Sequence, residues 1–391
     1  MGWSPILASA DEQRSWHVLE LLVEALRAPA AGASEVSLAR GEAGVALFFG
    51  YLARVTGRRD LAQLAQDRLG VAIDRVIADP PHPFLFGGIT GVAWVAEQLA
   101  AMGPDMAGED PHEEIDRMIL ELLDNPLDSV RFELVRGVAG FAVYALERLP
   151  RPSARAALER VVEALVDMAD PEDASWFTGP ERMPTGGRAR HPRGYRSLGV
   201  GHGAAGPIGV LAAACAHGVA VARARPLLER ALESLWRQRR PDAGDGELML
   251  PALAGQSEPA RIGWCHGDAG VGAAFLAAAP AAGVEDIWRE RALDLCRRAA
   301  RQTPSGDDPA LAHGAAGLGH IFHRCHHATG EPSFQAAARA WYARALDLVD
   351  PASMGPGVLE GAGIGLALLA ATTRVEPAWD RAFLLSIRPP V

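Results

Sequence analysis

The chain has 391 residues and carries 48 acidic against 38 basic side chains, a formal net charge of −10. Its 49% hydrophobic and 22% charged content supports a large buried core and excludes general disorder. All 38 basic residues are arginine. The absence of lysine excludes a phosphate-loop nucleotide site, a pyridoxal Schiff base and a kinase, and the acidic balance argues against nucleic acid as a partner.

The first twenty residues lack the basic start and apolar core of a signal peptide. No apolar run reaches the roughly 18 residues of a membrane span, so no transmembrane segment is expected and the expected location is the cytoplasm. From Gly41 onward a Gly-x-x-Gly unit followed by an apolar run recurs, at Gly88, Gly137, Gly203, Gly267 and Gly314, with a copy one residue short at Gly361. Successive starts lie 47, 49, 66, 64, 47 and 47 residues apart, the period of a helical-hairpin repeat. The runs over 45–51, 138–146 and 271–279 are apolar nearly all round and predict buried helices. Between them, 58–76, 153–168, 225–237, 287–301 and 334–348 carry arginine and glutamate with helical period and predict amphipathic outer helices. Strand signals are scarce. Seven such pairs form either an open solenoid or a closed α/α toroid; the last copy is as apolar as the middle ones, which favours closure and one all-α domain over 1–391.

The two long intervals hold turn-rich segments, 171–200 and 239–259, which either flank the site as lids or are surface loops. The first contains Arg182, Arg188, Arg190, Arg193 and Arg196, a candidate grip for an acidic leader peptide. The four cysteines, Cys215, Cys265, Cys296 and Cys325, are too few and scattered for a disulfide framework. Cys215 and Cys296 read as packing residues, while Cys325 with His320, His323, His326 and His327 lines later turns of one helix or faces solvent.

Three repeat starts are decorated: Gly201-His202-Gly203, Gly263-Trp264-Cys265-His266-Gly267 and Ala312-His313-Gly314. A His or Cys beside the same repeat glycine would converge on one mouth of a toroid, and thiolate with imidazole is the donor set zinc prefers.

The Trp-Cys-His-Gly segment, the two His-Gly-x-x-Gly segments and Leu359-Glu360-Gly361 resemble the lanthionine synthetase C-like family, the lanthipeptide cyclases, over nearly the whole chain. The resemblance implies an α/α toroid of seven inner and seven outer helices. It also implies one zinc held by Cys, Cys and His. Cys265 matches the first cysteine and His313 the histidine; Ala312 stands where the second cysteine belongs. His266, Asp268 or water would have to complete such a site, or zinc binds weakly, or the protein works without metal. His202 matches the catalytic histidine, Glu133 an acid that is usually aspartate, Arg261 an arginine before the first cysteine, and His266 the position after it. The activity implied is addition of a peptide thiol to dehydroalanine or dehydrobutyrine, on a precursor peptide that a separate dehydratase has prepared. A peptide-binding member without catalysis and an unrelated toroid enzyme, such as a two-carboxylate glycosidase drawing on Glu42, Glu133, Asp268 or Glu360, stay open at this point.

Overall fold

The computed structural model describes residues 2–28, 35–79, 81–103, 110–125, 130–183 and 185–387. In chain order the helices are α1 (Ala10–Arg27), α2 (Glu42–Thr56), α3 (Arg59–Ala78), α4 (Ile89–Ala100), α5 (Glu113–Asp124), α6 (Val138–Glu147), α7 (Pro152–Met168), α8 (Thr185–Arg190), α9 (Ala205–Ala216), α10 (Val221–Arg237), α11 (Gly267–Ala278), α12 (Glu285–Ala300), α13 (Ala315–Thr329), α14 (Pro332–Leu348) and α15 (Gly361–Thr372). Among the described residues extended pairing is confined to isolated bridges. The chain divides into two compact units. One holds α1–α4 and α13–α15; the other holds α5–α12 and residues 382–387.

In the first unit α2, α4, α13 and α15 are the apolar helices, and α15 is buried along its whole length between α2, α13 and α1. α3 covers α2 with one stripe, Leu61, Ala65, Arg68, Ala72 and Val76, whose three- and four-residue spacing is that of a single helix face. α14 covers α13 in the same way. In the second unit α9 lies between α6 and α11, and the amphipathic α7, α10 and α12 pack on α6, α9 and α11 respectively. The outer helix expected over 225–237 starts four residues earlier, at Val221, and runs through Pro226. The proline ring suits helical φ and costs the helix one main-chain hydrogen bond.

The repeat glycines are explained by close approach. The first helical N–H of α2, on Glu42, donates to the Glu35 carbonyl seven residues back at 2.9 Å. Ile89 to His82 (3.0 Å), Val138 to Arg131 (2.9 Å) and Ala315 to Asp308 (2.9 Å) repeat the pattern. The loop thus satisfies a donor that every helix start leaves open. It also presses its carbonyl onto the cap residue: a Cβ on Gly88 would lie 1.5 Å from the His82 oxygen. The second glycine meets the carbonyl six residues before it, as Gly317 does at Leu311, where a Cβ would lie 1.7 Å from the oxygen.

The first unit also contains a buried polar cluster. His320 and Asp380 are fully buried and their side chains bond at 2.8 Å (Nε2 to Oδ2), while Arg324 Nε donates to the same oxygen at 2.6 Å. The His323 ring lies tilted against Trp3, ring centres 4.1 Å apart, and its Nε2 donates to the Ser4 carbonyl at 2.9 Å. His320 and His323 therefore neither face solvent nor line a site; they hold residues 3–4 and 380 to α13.

Candidate functional site

Within the second unit three loops meet in front of α6, α9 and α11. Glu133 sits before α6 and is 1% exposed. Its Oε2 accepts from Val135 N and its Oε1 from Arg136 N, both at 2.9 Å, so its own loop fixes the carboxylate. Oε2 also accepts from His202 Nδ1 at 2.9 Å, across 69 residues of sequence. That bond puts the imidazole proton on Nδ1 and leaves Nε2 as the nitrogen for proton transfer. The His202 side chain is 52% exposed. A buried, oriented carboxylate under a solvent-facing imidazole is an arrangement chemically able to take up and release a proton.

The same loop lies on Cys265. Val200 N donates to the Cys265 carbonyl at 2.9 Å, and a Cβ on Gly199 would lie 1.9 Å from that oxygen. A Cβ on Gly201 would lie 3.2 Å from Cys265 Sγ, so glycine at 199 and 201 is what lets the histidine loop pack on the cysteine loop. Trp264 anchors the cysteine loop from below: it is buried, and its Nε1 donates to the Phe383 carbonyl at 2.8 Å. Burial pushes the Cys265 thiol up to about 12; Glu133 adds to the rise and Arg261 opposes it. The Arg261 side chain is exposed, and its charge acts on the sulfur. His266 is half-buried at the cap of α11. His313 lies in the first unit, exposed, one residue before the glycine that caps α13, and Ala312 beside it is buried.

Asp268 is not available to a metal. It is fully buried, and its Oδ2 and Oδ1 accept from Met249 N and Leu250 N at 2.8 Å each. Burial pushes its carboxyl up to about 6 against the pull of those two N–H groups. The segment it holds is bonded in turn to the histidine loop, through Leu198 N to Ala252 O (3.1 Å) and Ala254 N to Arg196 O (2.9 Å). Asp268 is the structural residue that the sequence pattern missed; its only signal there was an acid in the first turn of a helix. Among the described residues of this unit, Cys265 has no two further His, Cys, Asp or Glu donors gathered with it. Among the described residues of this unit the donors therefore do not by themselves make up a three-ligand zinc site. Three of the four carboxylates a two-acid glycosidase would draw on are likewise committed, Glu133 to His202, Asp268 to main-chain N–H groups and Glu42 to Arg68 at 3.0 Å, while Glu360 lies 3.9 Å from Arg40.

No curated protein matches the chain. A family model described as lanthionine synthetase C-like protein matches residues 32–384. Among solved structures, one titled nisin cyclase is similar with a TM-score of 0.79 and 16% sequence identity, covering 95% of this chain and 97% of that one. The all-α repeat fold expected from the glycine pattern is thus the fold of that structure.

Proposed function

Because the chain belongs to the lanthionine synthetase C-like family, we propose that residues 1–391 act as one lanthipeptide cyclase domain, joining peptide cysteine thiols to dehydroalanine or dehydrobutyrine as thioethers. The observation that carries the reading is the buried Glu133 carboxylate bonded to the half-exposed His202 ring, beside Cys265.

The reaction is an addition and needs no oxidant. The substrate S–H bond breaks and its sulfur bonds to the alkene β-carbon. The π electrons move onto the neighbouring amide as an enolate, which collects a proton at the α-carbon. His202 Nε2 carries that proton from sulfur to carbon, and Glu133 stabilises the imidazolium between the two events. The Arg261 guanidinium stabilises the enolate oxygen. His266, at the cap of α11, is a further catalytic candidate by its position after Cys265.

Zinc, where bound, supplies stabilisation of a thiolate. Cys265 and His313 are the two residues proposed to hold it, the second on its His-Gly motif alone. With alanine at 312 the set is short of the family's three, and the proton path above does not pass through a metal. A precursor peptide and a separate dehydratase are the partners this reading requires.

The test is a dehydrated precursor peptide incubated with enzyme, with unreacted thiols then counted by maleimide capture and mass spectrometry. The wild-type protein is expected to protect the thiols, and His202→Gln to slow protection by about 100-fold or more, the usual contribution of a positioned acid–base group. Equal protection by both proteins would overturn the reading.

A further inference from the structure

We propose that the arm formed by residues 177–183 and 185–196 is a docking surface for an acidic peptide segment, one that delivers the precursor to His202. The proposal rests on the cyclase reading for its use, and on the arm's own chemistry for its binding.

The arm is closed at its base by Thr178 and Tyr195, which exchange main-chain bonds of 2.9 and 3.0 Å. Between these two residues and on to 196 it carries five arginines and one acid, Glu181, a net +4 on a protein of net −10. Three of those charges lack a carboxylate partner. Arg188 donates only to the Pro180 carbonyl and Arg190 only to the Gly186 carbonyl. Arg193 has no hydrogen bond or ion pair among the described residues. All three are exposed. Elsewhere on the surface exposed arginines repeatedly sit on acids, as Arg58 does on Asp60 and Arg160 on Asp124. Unpaired arginines concentrated in one arm are an anion-binding surface.

An apolar contact lies at the base of the arm. Phe177 is 43% exposed. Its ring rests on Gly194, where φ is +79° and a Cβ would lie 2.2 Å from the ring. The Arg196 guanidinium covers the other part of the ring, 5.4 Å from its centre, and is itself held by Asp170 at 2.6 Å and Ser175 at 2.7 Å. Phe177 and Arg196 line an open cleft of about 430 Å³ together with Met168 and Ala169 at the end of α7. A peptide with an apolar side chain in this cleft and carboxylates along the arm satisfies both features. Glu172, exposed in the turn between α7 and Phe177, carries an opposing charge that no side-chain hydrogen bond or ion pair holds.

The placement serves the reaction. Arg196 is six residues before His202, and six residues of extended chain span at most about 20 Å. A peptide docked on the arm keeps its downstream residues within reach of the imidazole, which raises their effective concentration there.

The experiment uses the full chain and a labelled peptide of about ten residues alternating glutamate and leucine, with its glutamine counterpart, followed by fluorescence anisotropy. The glutamate peptide is expected to bind and to weaken steeply as salt rises past about 0.15 M. Three exposed pairs at about twofold each predict a loss of about tenfold in Arg188→Ala/Arg190→Ala/Arg193→Ala. Glu172→Gln is expected to tighten binding about twofold. Arg117→Ala/Arg237→Ala/Arg301→Ala, exposed residues with the same change in net charge, is expected to leave it unchanged. Equal loss in that control, equal binding of the glutamine peptide, or equal retention of a single-stranded oligonucleotide would overturn the proposal. Thiol protection measured on the same variants separates the two readings: docking without ring formation sinks the cyclase reading alone.

Discussion

Replacing Glu133 by glutamine removes a charge and keeps a shape, and the structure sets what each change costs. The amide retains one acceptor. With its carbonyl in the Oε2 place it still accepts from Val135 N and His202 Nδ1, and its NH2 group faces Arg136 N. Arg136 is exposed, so that N–H turns to water and the fold loses about 1 kcal/mol. The charge matters more. At the observed 2.9 Å a carboxylate and an imidazolium attract by about 6 kcal/mol at an effective dielectric of 20. The half-exposed ring keeps a part of this, roughly 1.5–3 kcal/mol, so single-turnover thioether formation should slow by about 10- to 150-fold. Urea denaturation of the same variant separates the two effects. His202→Gln/Glu133→Gln should be no slower than His202→Gln alone, because Glu133 acts through the ring. A Glu133→Gln protein within about threefold of wild type, or a double variant slower by the product of the singles, would show that Glu133 does not act through the His202 ring.

Further outcomes follow from the packing and the buried charges. Gly317→Ala sets a methyl 1.7 Å from the Leu311 oxygen and should cost several kcal/mol in urea denaturation, whereas Gly70→Ala, in α3 with no atom within 4 Å, should stabilise by up to about 1 kcal/mol. Asp268→Ala should speed hydrogen exchange at Met249 and Leu250 by about tenfold or more, because both amides lose their acceptor. Stability should fall as the pH drops below about 6.5, since burial holds His320 and His323 below their ordinary pKa and the unfolded chain takes up protons that the folded one excludes. A second loss below pH 4 should follow from Asp380, whose pKa burial raises but which Arg324 and His320 bring below the ordinary value; Asp380→Asn should remove about 3–5 kcal/mol at pH 7 by leaving Arg324 without its buried partner. Elemental mass spectrometry should find less than one zinc per chain after mild chelation, lowered again by Cys265→Ala or His313→Ala and raised by Ala312→Cys, which restores a third donor.

The repeat was legible because its cause is local. Each Gly-x-x-Gly closes a loop onto carbonyls five to seven residues back, so the spacing reports the helix starts directly. The apolar runs behind them were legible for the same reason. Glu133 and His202 could be nominated from their motifs, but the bond between them joins residues 69 apart and is visible only in the fold. Nothing in the chain marked Glu133 as buried rather than as an exposed charge at a helix start. Asp268 was read as a spare ligand because its partners are main-chain groups of Met249 and Leu250, which have no residue signature. The burial of His320 and His323 is not legible in the local sequence, because the groups that bury them, Trp3, Ser4 and Asp380, come from opposite ends of the chain. The arginine arm was apparent as a charge run, but only the structure separates Arg196, engaged by Asp170 and Ser175, from Arg188, Arg190 and Arg193.

On the proposed mechanism His202, held by Glu133, delivers the proton that completes each ring. Cyclisation in deuterated water tests it most directly. Wild-type enzyme should place a deuteron at the α-carbon of every ring with a single configuration, read by mass spectrometry and chiral analysis after hydrolysis. His202→Gln should form rings only at the slow uncatalysed rate and with mixed configuration. Rings formed by His202→Gln at the wild-type rate with one configuration would contradict the account.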